Sequence, residues 1–355
     1  MCGIAGILYD ESAPDRGRSV GQDMVRMLTS MRHRGADSTG VTILGESFPG
    51  DLILRLHAPG AETNGGEESN GHGGAWAEAA LGAVEGSGAK VLDRDADRRF
   101  MRLTVEFGGE IRDLADALYE VPGVRIHSIG RCSEVIKDVG DAAALESRHQ
   151  VGALTGTHGI GHVRMATESR VDITHSHPFW AFPFCDITVV HNGQLTNYHK
   201  MKRLYEQDGY RFQTHNDSEL IAVYLAHHLE RDADLERTLH RALEDLDGTF
   251  TFLVSTPTGL GCAKDKWSAK PLVIMERHDV VAVASEEVAL RQVFPEEIER
   301  FECICHGMIR TADDNAFVLE SLDWPVYSKV VFAKHTSTVG CDLAQLPPLI
   351  ATEWL

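Results

Sequence analysis

Apolar residues recur along the chain with the two periods that distinguish strands from helices. A run of apolar and small residues at positions 3–9 predicts a buried strand. Val20, Met24, Met27 and Leu28 repeat at helical spacing and predict a helix over positions 20–31. The same reasoning predicts further helices at 111–118, 217–229 and 235–246, and further strands at 41–44, 52–56, 101–107, 124–129, 187–190, 249–255, 272–275 and 280–284. This mixed order, with its hairpin signals, predicts an α+β fold.

A glycine-rich stretch interrupts the pattern between positions 61 and 88. Its centre, residues 65–74, combines glycine with polar side chains and offers little apolar surface to bury. Such a composition predicts a linker or a mobile loop. The strand, helix and strand predicted beyond it form a small α/β unit, which we interpret as an insertion ending near position 130.

Length and charge narrow the class of protein. A chain of 355 residues with 43% apolar content is long enough to bury a full core. Its 34 basic and 53 acidic residues give a net charge of −19, which argues against nucleic acid or an anionic membrane as a partner. The sequence shows neither an apolar run of membrane-spanning length nor a secretory signal, so we expect a cytoplasmic protein.

The cysteines do not indicate disulfides or a metal. Their number is odd and their spacing irregular, which favours reduced thiols: positions 2, 132, 185, 262, 303, 305 and 341. The segment Cys303-Ile304-Cys305-His306 resembles half of a metal site, but its alternation suits a half-buried strand and no second ligand pair completes it. The histidine pairs at 175/177 and 227/228 likewise lack further ligands, so no metal is predicted.

The second residue carries the strongest chemical signal. If Met1 is removed, Cys2 becomes the first residue and holds a thiol and a free α-amine only two bonds apart. The amine can then take the thiol proton and activate the sulfur as a nucleophile. The alternative is that Cys2 is a small apolar residue that opens the buried strand.

Several motifs support the nucleophile. Five occur in order: Met1-Cys2-Gly3-Ile4-Ala5-Gly6-Ile7, His33-Arg34-Gly35-Ala36-Asp37-Ser38-Thr39-Gly40, Gly161-His162-Val163-Arg164-Met165-Ala166-Thr167, His191-Asn192-Gly193 and Asn216-Asp217-Ser218-Glu219. Together they resemble the class II glutamine amidotransferases, which are N-terminal-nucleophile hydrolases. The resemblance implies hydrolysis of the glutamine side-chain amide and a four-layer αββα sandwich, here with the small α/β insertion.

The resemblance also implies roles for the residues after position 160. Asn192 and the backbone N–H of Gly193 would hold the oxyanion, although Asn-Gly alone is equally a hairpin turn. Arg164 would bind the α-carboxylate of glutamine and Thr167 would add a hydroxyl to the pocket. A surface ion pair is the alternative for Arg164.

Two further charged residues have a structural alternative beside the implied role. Asp217 would bind the α-ammonium of glutamine, but Asn216 and Glu219 around it also resemble a capping box at a helix start. Arg34 would line the glutamine pocket, or it would satisfy the carboxyl end of the preceding helix. Gly35 after it suggests a left-handed turn that ends this helix.

The resemblance finally implies a division of the chain and a partner. Segments 1–60 and 131–310 would form a discontinuous amidotransferase domain, 61–130 the linker and insertion, and 311–355 an extension that could dock a partner. Residues 164–169 and 175–179 are most similar to stand-alone amidotransferase subunits of glutamate-synthase-type complexes, including N-methylglutamate synthase. The chain itself would need no cofactor, whereas FMN and iron–sulfur clusters would lie on partner subunits that receive the ammonia. The alternatives are a lone amidase acting on another γ-glutamyl amide and a catalytically silent scaffold.

The state of the first residue is directly testable. We expect the mature protein to begin at Cys2, because an amine already bound in a peptide bond cannot accept the thiol proton. Intact-mass measurement of the native protein should give the mass of the sequence less one methionine residue. Retention of Met1 would favour the silent scaffold.

Overall fold

The strand predicted at the start of the chain lies in the middle of a seven-stranded sheet. The computed structural model describes residues 1–9, 19–45, 51–58, 74–166, 171–265, 267, 269–277, 279–295, 301–303 and 316–319. The strands of this first sheet are, in spatial order, β15 (Phe301–Cys303), β13 (Val273–Glu276), β14 (Val280–Ala284), β1 (Gly3–Tyr9), β8 (His158–Arg164), β2 (Ser38–Leu44) and β7 (Ser133–Val139). All neighbouring pairs are antiparallel.

A second, five-stranded sheet packs against the first. Its strands are, in spatial order, β16 (Ala316–Leu319), β12 (Gly259–Lys264), β11 (Gly248–Thr256), β10 (Thr188–Leu195) and β9 (Phe179–Trp180). The core between the two sheets is apolar and includes Ile4, Leu8 and Ile160 from the first sheet, and Val190 and Leu253 from the second. Strand β16 is the described part of the extension predicted at 311–355, and the rest of that segment lies outside the described residues.

Helices cover the outer face of each sheet. The helices packed on the first sheet are α1 (Val20–Ser30), α4 (Ala142–His149) and α8 (Glu287–Val293). Those packed on the second are α5 (Tyr198–Gln207), α6 (Asp217–Asp232) and α7 (Leu235–Asp245). Short 3₁₀ turns follow α1 at Arg32–Arg34 and α4 at Val151–Ala153. The order helix, sheet, sheet, helix confirms the predicted four-layer αββα sandwich and its α+β class.

A third sheet with its own core forms the small α/β unit. Its strands are, in spatial order, β4 (Lys90–Ala96), β5 (Phe100–Glu106), β3 (Asp51–His57) and β6 (Arg125–Gly130). Helices α2 (Gly74–Gly86) and α3 (Ile111–Tyr119) pack on one face. The strand, helix and strand predicted between 101 and 129 are therefore confirmed as elements.

Two features of this unit differ from the prediction. The stretch assigned to a linker contains α2, because Ala77, Ala80 and Val84 bury one face of a helix that the preceding glycines obscure in the sequence; residues 61–73 lie outside the described residues. Strand β3, which falls within the predicted 1–60 segment, pairs with β5 and β6. The division of the chain into domains remains a prediction.

One buried carboxylate joins the small unit to the sandwich. The turn between β6 and β7 points its backbone N–H groups at Asp186, whose residue is only 3% exposed. Asp186 Oδ1 accepts hydrogen bonds from the backbone N of Arg131 (2.9 Å), Cys132 (3.1 Å) and Ser133 (2.9 Å), and from the Ser133 hydroxyl (2.8 Å). Several charge-assisted bonds to one acceptor hold the turn firmly.

Replacing this carboxylate should destabilise the fold. We expect Asp186→Ala to lower the free energy of unfolding by about 3 kcal/mol or more, since it leaves buried N–H groups without an acceptor. Denaturant unfolding provides the measurement, and Asp208→Ala, at an exposed helix end, is the matched control. Equal stability of the two variants would contradict the role given to Asp186.

Candidate active site

The carbonyl oxygen of Cys2 is the meeting point of three distant segments. Cys2 directly precedes β1, and its oxygen accepts hydrogen bonds from Nε of Arg34 (3.0 Å) and Nδ2 of Asn192 (3.1 Å). Arg34 comes from the turn after α1, and Asn192 comes from the second sheet. The Cys2 thiol donates to the carbonyl oxygen of Met165 at 3.6 Å. The predicted nucleophile therefore lies beside two of the predicted site residues.

Arg34 is held by a carboxylate as well as by Cys2. Its Nη1 donates to Oε1 of Glu286 at 2.5 Å, and the other oxygen of Glu286 lies 2.8 Å from Nε2 of His33. Nη2 is buried and has no hydrogen-bond partner among the described residues. The backbone N–H of Met31 donates to carbonyl oxygens at the carboxyl end of α1. Arg34 therefore pairs with the carboxylate of Glu286, at the start of α8, and not with the end of α1.

Gly35 brings the arginine turn against β8. Its φ of 176° is extended, so the expected left-handed turn is wrong. The glycine is required for another reason, because a Cβ atom there would lie 2.3 Å from the carbonyl carbon of Arg164. Asp37 continues this contact: its N–H donates to the carbonyl oxygen of Arg164, and its carboxylate accepts from the N–H of Ala166. Two motifs far apart in sequence are thus joined through backbone.

Arg164 ends β8 and is deeply placed. The residue is 4% exposed, which rules out the surface ion pair considered for it. Burial lowers the pKa of its guanidinium, and the nearby Cys2, Asp172 and Asp37 oppose this effect, so the group stays cationic. Strand β8 pairs Val163 with Gly3, which sets Arg164 next to the end of the nucleophile strand. Thr167 lies outside the described residues, and its role remains a prediction.

Asn192 and Gly193 lie within a strand and not in a hairpin turn. Strand β10 runs through both residues, which pair with Thr251 and Phe250 of β11. Gly193 has a φ of 144°, and a Cβ atom there would lie 2.1 Å from the carbonyl oxygen of Thr249. The alternative of a plain Asn-Gly turn is therefore wrong, and a side chain at position 193 would be excluded by strain and by contact.

Asp217 starts α6 and ties that helix to β10. Its Oδ2 accepts from the backbone N of Leu195 at 2.9 Å, and its Oδ1 lies 3.5 Å from Nδ1 of His191. Burial would raise the pKa of this carboxyl, but His191 and the backbone N–H groups of Leu195 and Ser218 lower it overall. Asp217 is consequently ionised at neutral pH.

The expected capping box at this helix is only half present. Asn216 does cap α6, because its side chain accepts from the backbone N of Ser218 at 2.9 Å. Glu219 instead turns toward the preceding loop and accepts from the backbone N of Gln213 (2.6 Å) and Thr214 (2.8 Å). The capping box is therefore wrong in its second half.

A buried group of histidines, which the sequence did not assign to the site, connects β8 with α6. The rings of His162 and His177 stack with centroids 4.0 Å apart, and His177 Nδ1 accepts from the backbone N of His191 at 3.3 Å. The His191 ring in turn lies 2.9 Å from the Ser218 hydroxyl. Burial, with Arg164 nearby, lowers the pKa of His162 to about 3, and burial holds that of His177 well below its usual value. Their partners are distant in sequence, and the signals that could have found them are the positions of His162, His191 and Ser218 within quoted motifs.

The structure thus brings Cys2, Arg34 and Asn192 into direct contact. Asp217 is linked to the same strand as Asn192. Within the described ranges, no group of three or more His, Cys, Asp and Glu residues is arranged to hold a metal ion; Cys305 and His306 lie outside these ranges. Among the helices described, none is long and apolar enough to cross a membrane.

This fold and this site define a class II glutamine amidotransferase, and the chain belongs to that family. A family model described as a glutamine amidotransferase domain matches residues 162–292. The chain is 37% identical over 318 residues to a "Putative glutamine amidotransferase" of Methanothermobacter thermautotrophicus, covering 87% of this chain and 99% of the relative. It is 34% identical to the "Glutamine amidotransferase-like protein GlxB" of Rhizobium meliloti, covering 82% of this chain and 91% of the relative.

A solved structure supports the fold. The structure of an allosteric regulatory enzyme of purine biosynthesis matches 82% of this chain with a TM-score of 0.50 and 21% sequence identity. The match covers only 43% of that longer protein, so the similarity concerns the shared αββα sandwich.

The buried histidines should make the fold sensitive to acid. Because the pKa of His162 is lowered on folding, the unfolded chain binds a proton between about pH 6.5 and 3 that the folded chain does not. Stability contributed by neutral His162 is therefore lost as pH falls through this window, at about 1.4 kcal/mol per pH unit. We expect His162→Phe, which keeps a ring beside His177, to flatten the decline in free energy of unfolding between pH 6 and 4.5 by about this slope.

The control for this measurement is His199→Gln, at an exposed position on α5, which should leave the slope unchanged. A His162→Phe profile parallel to that of the parent protein would show that His162 is protonated in the folded state.

Proposed function

We propose that this chain is a glutaminase subunit that hydrolyses L-glutamine to L-glutamate and ammonia and delivers the ammonia to a glutamate-synthase-like partner. The observation that carries the proposal is the convergence of Arg34 and Asn192 on the carbonyl oxygen of Cys2. This arrangement places one donor from the turn after α1 and one from the second sheet on the residue that carries the sulfur nucleophile.

Cys2 supplies both the nucleophile and its base once Met1 is removed. The free α-amine takes the thiol proton, and the thiolate attacks the side-chain carbonyl carbon of glutamine. Collapse of the tetrahedral intermediate breaks the carbon–nitrogen bond, the leaving nitrogen takes the proton that the α-amine had accepted, and ammonia departs from a γ-glutamyl thioester on Cys2. Water then attacks the thioester, the carbon–sulfur bond breaks, and glutamate leaves as the sulfur recovers its proton.

Asn192 and Gly193 would hold the negative charge that forms on the attacked carbonyl. The side-chain amide of Asn192 contacts the residue that carries the sulfur, since its Nδ2 lies 3.1 Å from the carbonyl oxygen of Cys2. Gly193 follows it in an extended strand whose geometry excludes a side chain. A donor of this kind typically lowers the barrier by about 2.7–4 kcal/mol.

The α-carboxylate and α-ammonium of glutamine would each bind a protein side chain of opposite charge. Arg164 would bind the α-carboxylate through its planar guanidinium, with Arg34 lining the pocket and Thr167 adding a hydroxyl. Asp217 would bind the α-ammonium, and its lowered pKa suits this role because the carboxylate stays charged. Its Oδ2 accepts from the backbone of Leu195, and its Oδ1 lies 3.5 Å from both the Ser218 hydroxyl and His191. A carboxylate has about four acceptor positions, so capacity for the ammonium remains.

The partner follows from the chemistry and from the resemblance of the sequence. Ammonia released by hydrolysis is useful only to a synthase that consumes it, and no step above requires a cofactor on this chain. By the resemblance to glutamate-synthase-type complexes, FMN and iron–sulfur clusters would lie on the partner subunits. The two relatives matched over most of their length are named as amidotransferases, which supports a separate amidotransferase subunit.

Removing the nucleophile should separate the two halves of the reaction. We expect Cys2→Ala to abolish glutamine hydrolysis, because no other group can form the thioester, while synthesis from added ammonium by the native complex continues. Glutamate release and ammonium-dependent synthesis are measured on the same co-purified complex.

Cys132→Ala provides the control, since Cys132 is another partly exposed thiol, located in the β6–β7 turn. It should retain both activities. Equal loss of hydrolysis and ammonium-dependent synthesis in Cys2→Ala would count against the assignment, and glutaminase activity of the purified chain without partners would favour the lone amidase.

A further inference from the structure

Two adjacent residues at the end of β14 hold the beginning of the chain. The backbone N of Ser285 donates to the carbonyl oxygen of Ile4 at 2.9 Å, and the Ser285 hydroxyl accepts from the backbone N of Ile4 at 3.0 Å. The next residue, Glu286, reaches Cys2 indirectly through Arg34. Ser285 therefore fixes Ile4 directly, and Glu286 fixes Cys2 through Arg34.

The three nitrogens of the Arg34 guanidinium have different environments. Nε binds the Cys2 carbonyl oxygen, Nη1 binds Glu286, and Nη2 is buried without a hydrogen-bond partner among the described residues. The residue is only 7% exposed. Because the guanidinium is planar, fixing Nε and Nη1 also fixes the direction of Nη2.

We infer that Glu286 is a positioning residue of the glutaminase site, which orients Arg34 so that it holds the Cys2 carbonyl and presents Nη2 to a ligand. The inference rests on the proposed function for its substrate. Glu286 acts through Arg34, which directly contacts the nucleophile residue. Without the carboxylate, a buried guanidinium would lose its compensating charge and its fixed orientation.

His33 completes the arrangement from the solvent side. Its side chain is 57% exposed and lies against the second oxygen of Glu286, whose side chain is 29% exposed. The carboxylate is thus held between a buried cation and a surface imidazole. A single rotamer of Glu286 satisfies both contacts, which limits the positions open to Arg34.

A double-mutant cycle tests whether Glu286 works through Arg34. The variants are Glu286→Gln, Arg34→Gln and the two combined, assayed as the native complex with glutamine. We expect Glu286→Gln to lower kcat by about 10- to 100-fold with a smaller change in KM, because a misplaced nucleophile mainly affects the chemical step. The combined variant should be no worse than Arg34→Gln alone.

The neighbouring Glu287 offers a matched control. It lies one residue further on and pairs with Arg291 on the same helix. Glu287→Gln removes the same charge from the same helix start and should leave kcat and KM unchanged. Glu286→Asp keeps the charge and should recover part of the activity lost in Glu286→Gln.

Each outcome decides the inference. Additive losses in the cycle, a Glu286→Gln variant with parental kcat, or failure of both Glu286 variants to fold by thermal melting would overturn it. The rate of Cys2 alkylation by iodoacetamide, located by peptide mass spectrometry, gives a readout independent of glutamine. If the parent protein hydrolyses no glutamine, the proposed function fails, and an altered alkylation rate in Glu286→Gln but not in Glu287→Gln still supports the positioning role.

Discussion

The hydrogen bonds to the Cys2 carbonyl oxygen are the constraint on which the site depends. The end of a chain normally frays, because few contacts oppose its conformational entropy. Here one acceptor receives donors from Arg34, in the turn after α1, and from Asn192, in the second sheet. The bonds therefore fix the first residues to two separate parts of the sandwich, and they couple the position of Cys2 to the packing of the domain.

The sequence predicted several of the elements whose apolar residues bury one face. Strand β1 and helices α1, α3 and α6 have such patterns, and the structure contains all of them. Helix α2 was missed because its buried face is mainly alanine and follows a glycine-rich stretch. Strand β7 was not predicted, because it carries buried charges that break the pattern. Its Asp138 accepts from Arg148, and its Lys137 donates to the carbonyl oxygens of residues 176 and 178. These partners lie outside the strand in the sequence, so the local pattern of apolar and polar residues does not indicate them.

The sequence predicted those site residues that lie within the quoted motifs. The resemblance identified Cys2, Arg34 and Asn192, which the structure brings into contact. It did not identify Glu286 as a partner of Arg34, since about 250 residues separate the two and only the fold joins them. Gly35 was predicted to form a left-handed turn, because local sequence rules associate glycine with such turns. The structure instead requires glycine because the backbone of Arg164 packs against it, a contact that depends on the tertiary fold.

The two arginines beside the nucleophile are suited to different tasks. Arg34 uses Nε and Nη1 on protein acceptors, so each of the two edges through which a guanidinium binds a carboxylate, Nε/Nη2 and Nη1/Nη2, already has one nitrogen engaged. A second anion on this guanidinium would also approach the negative charge of Glu286. Arg34 is therefore better suited to hold the nucleophile and offer one remaining donor than to bind the glutamine carboxylate in a bidentate manner. That reasoning favours Arg164, at the end of the neighbouring strand, as the carboxylate-binding residue.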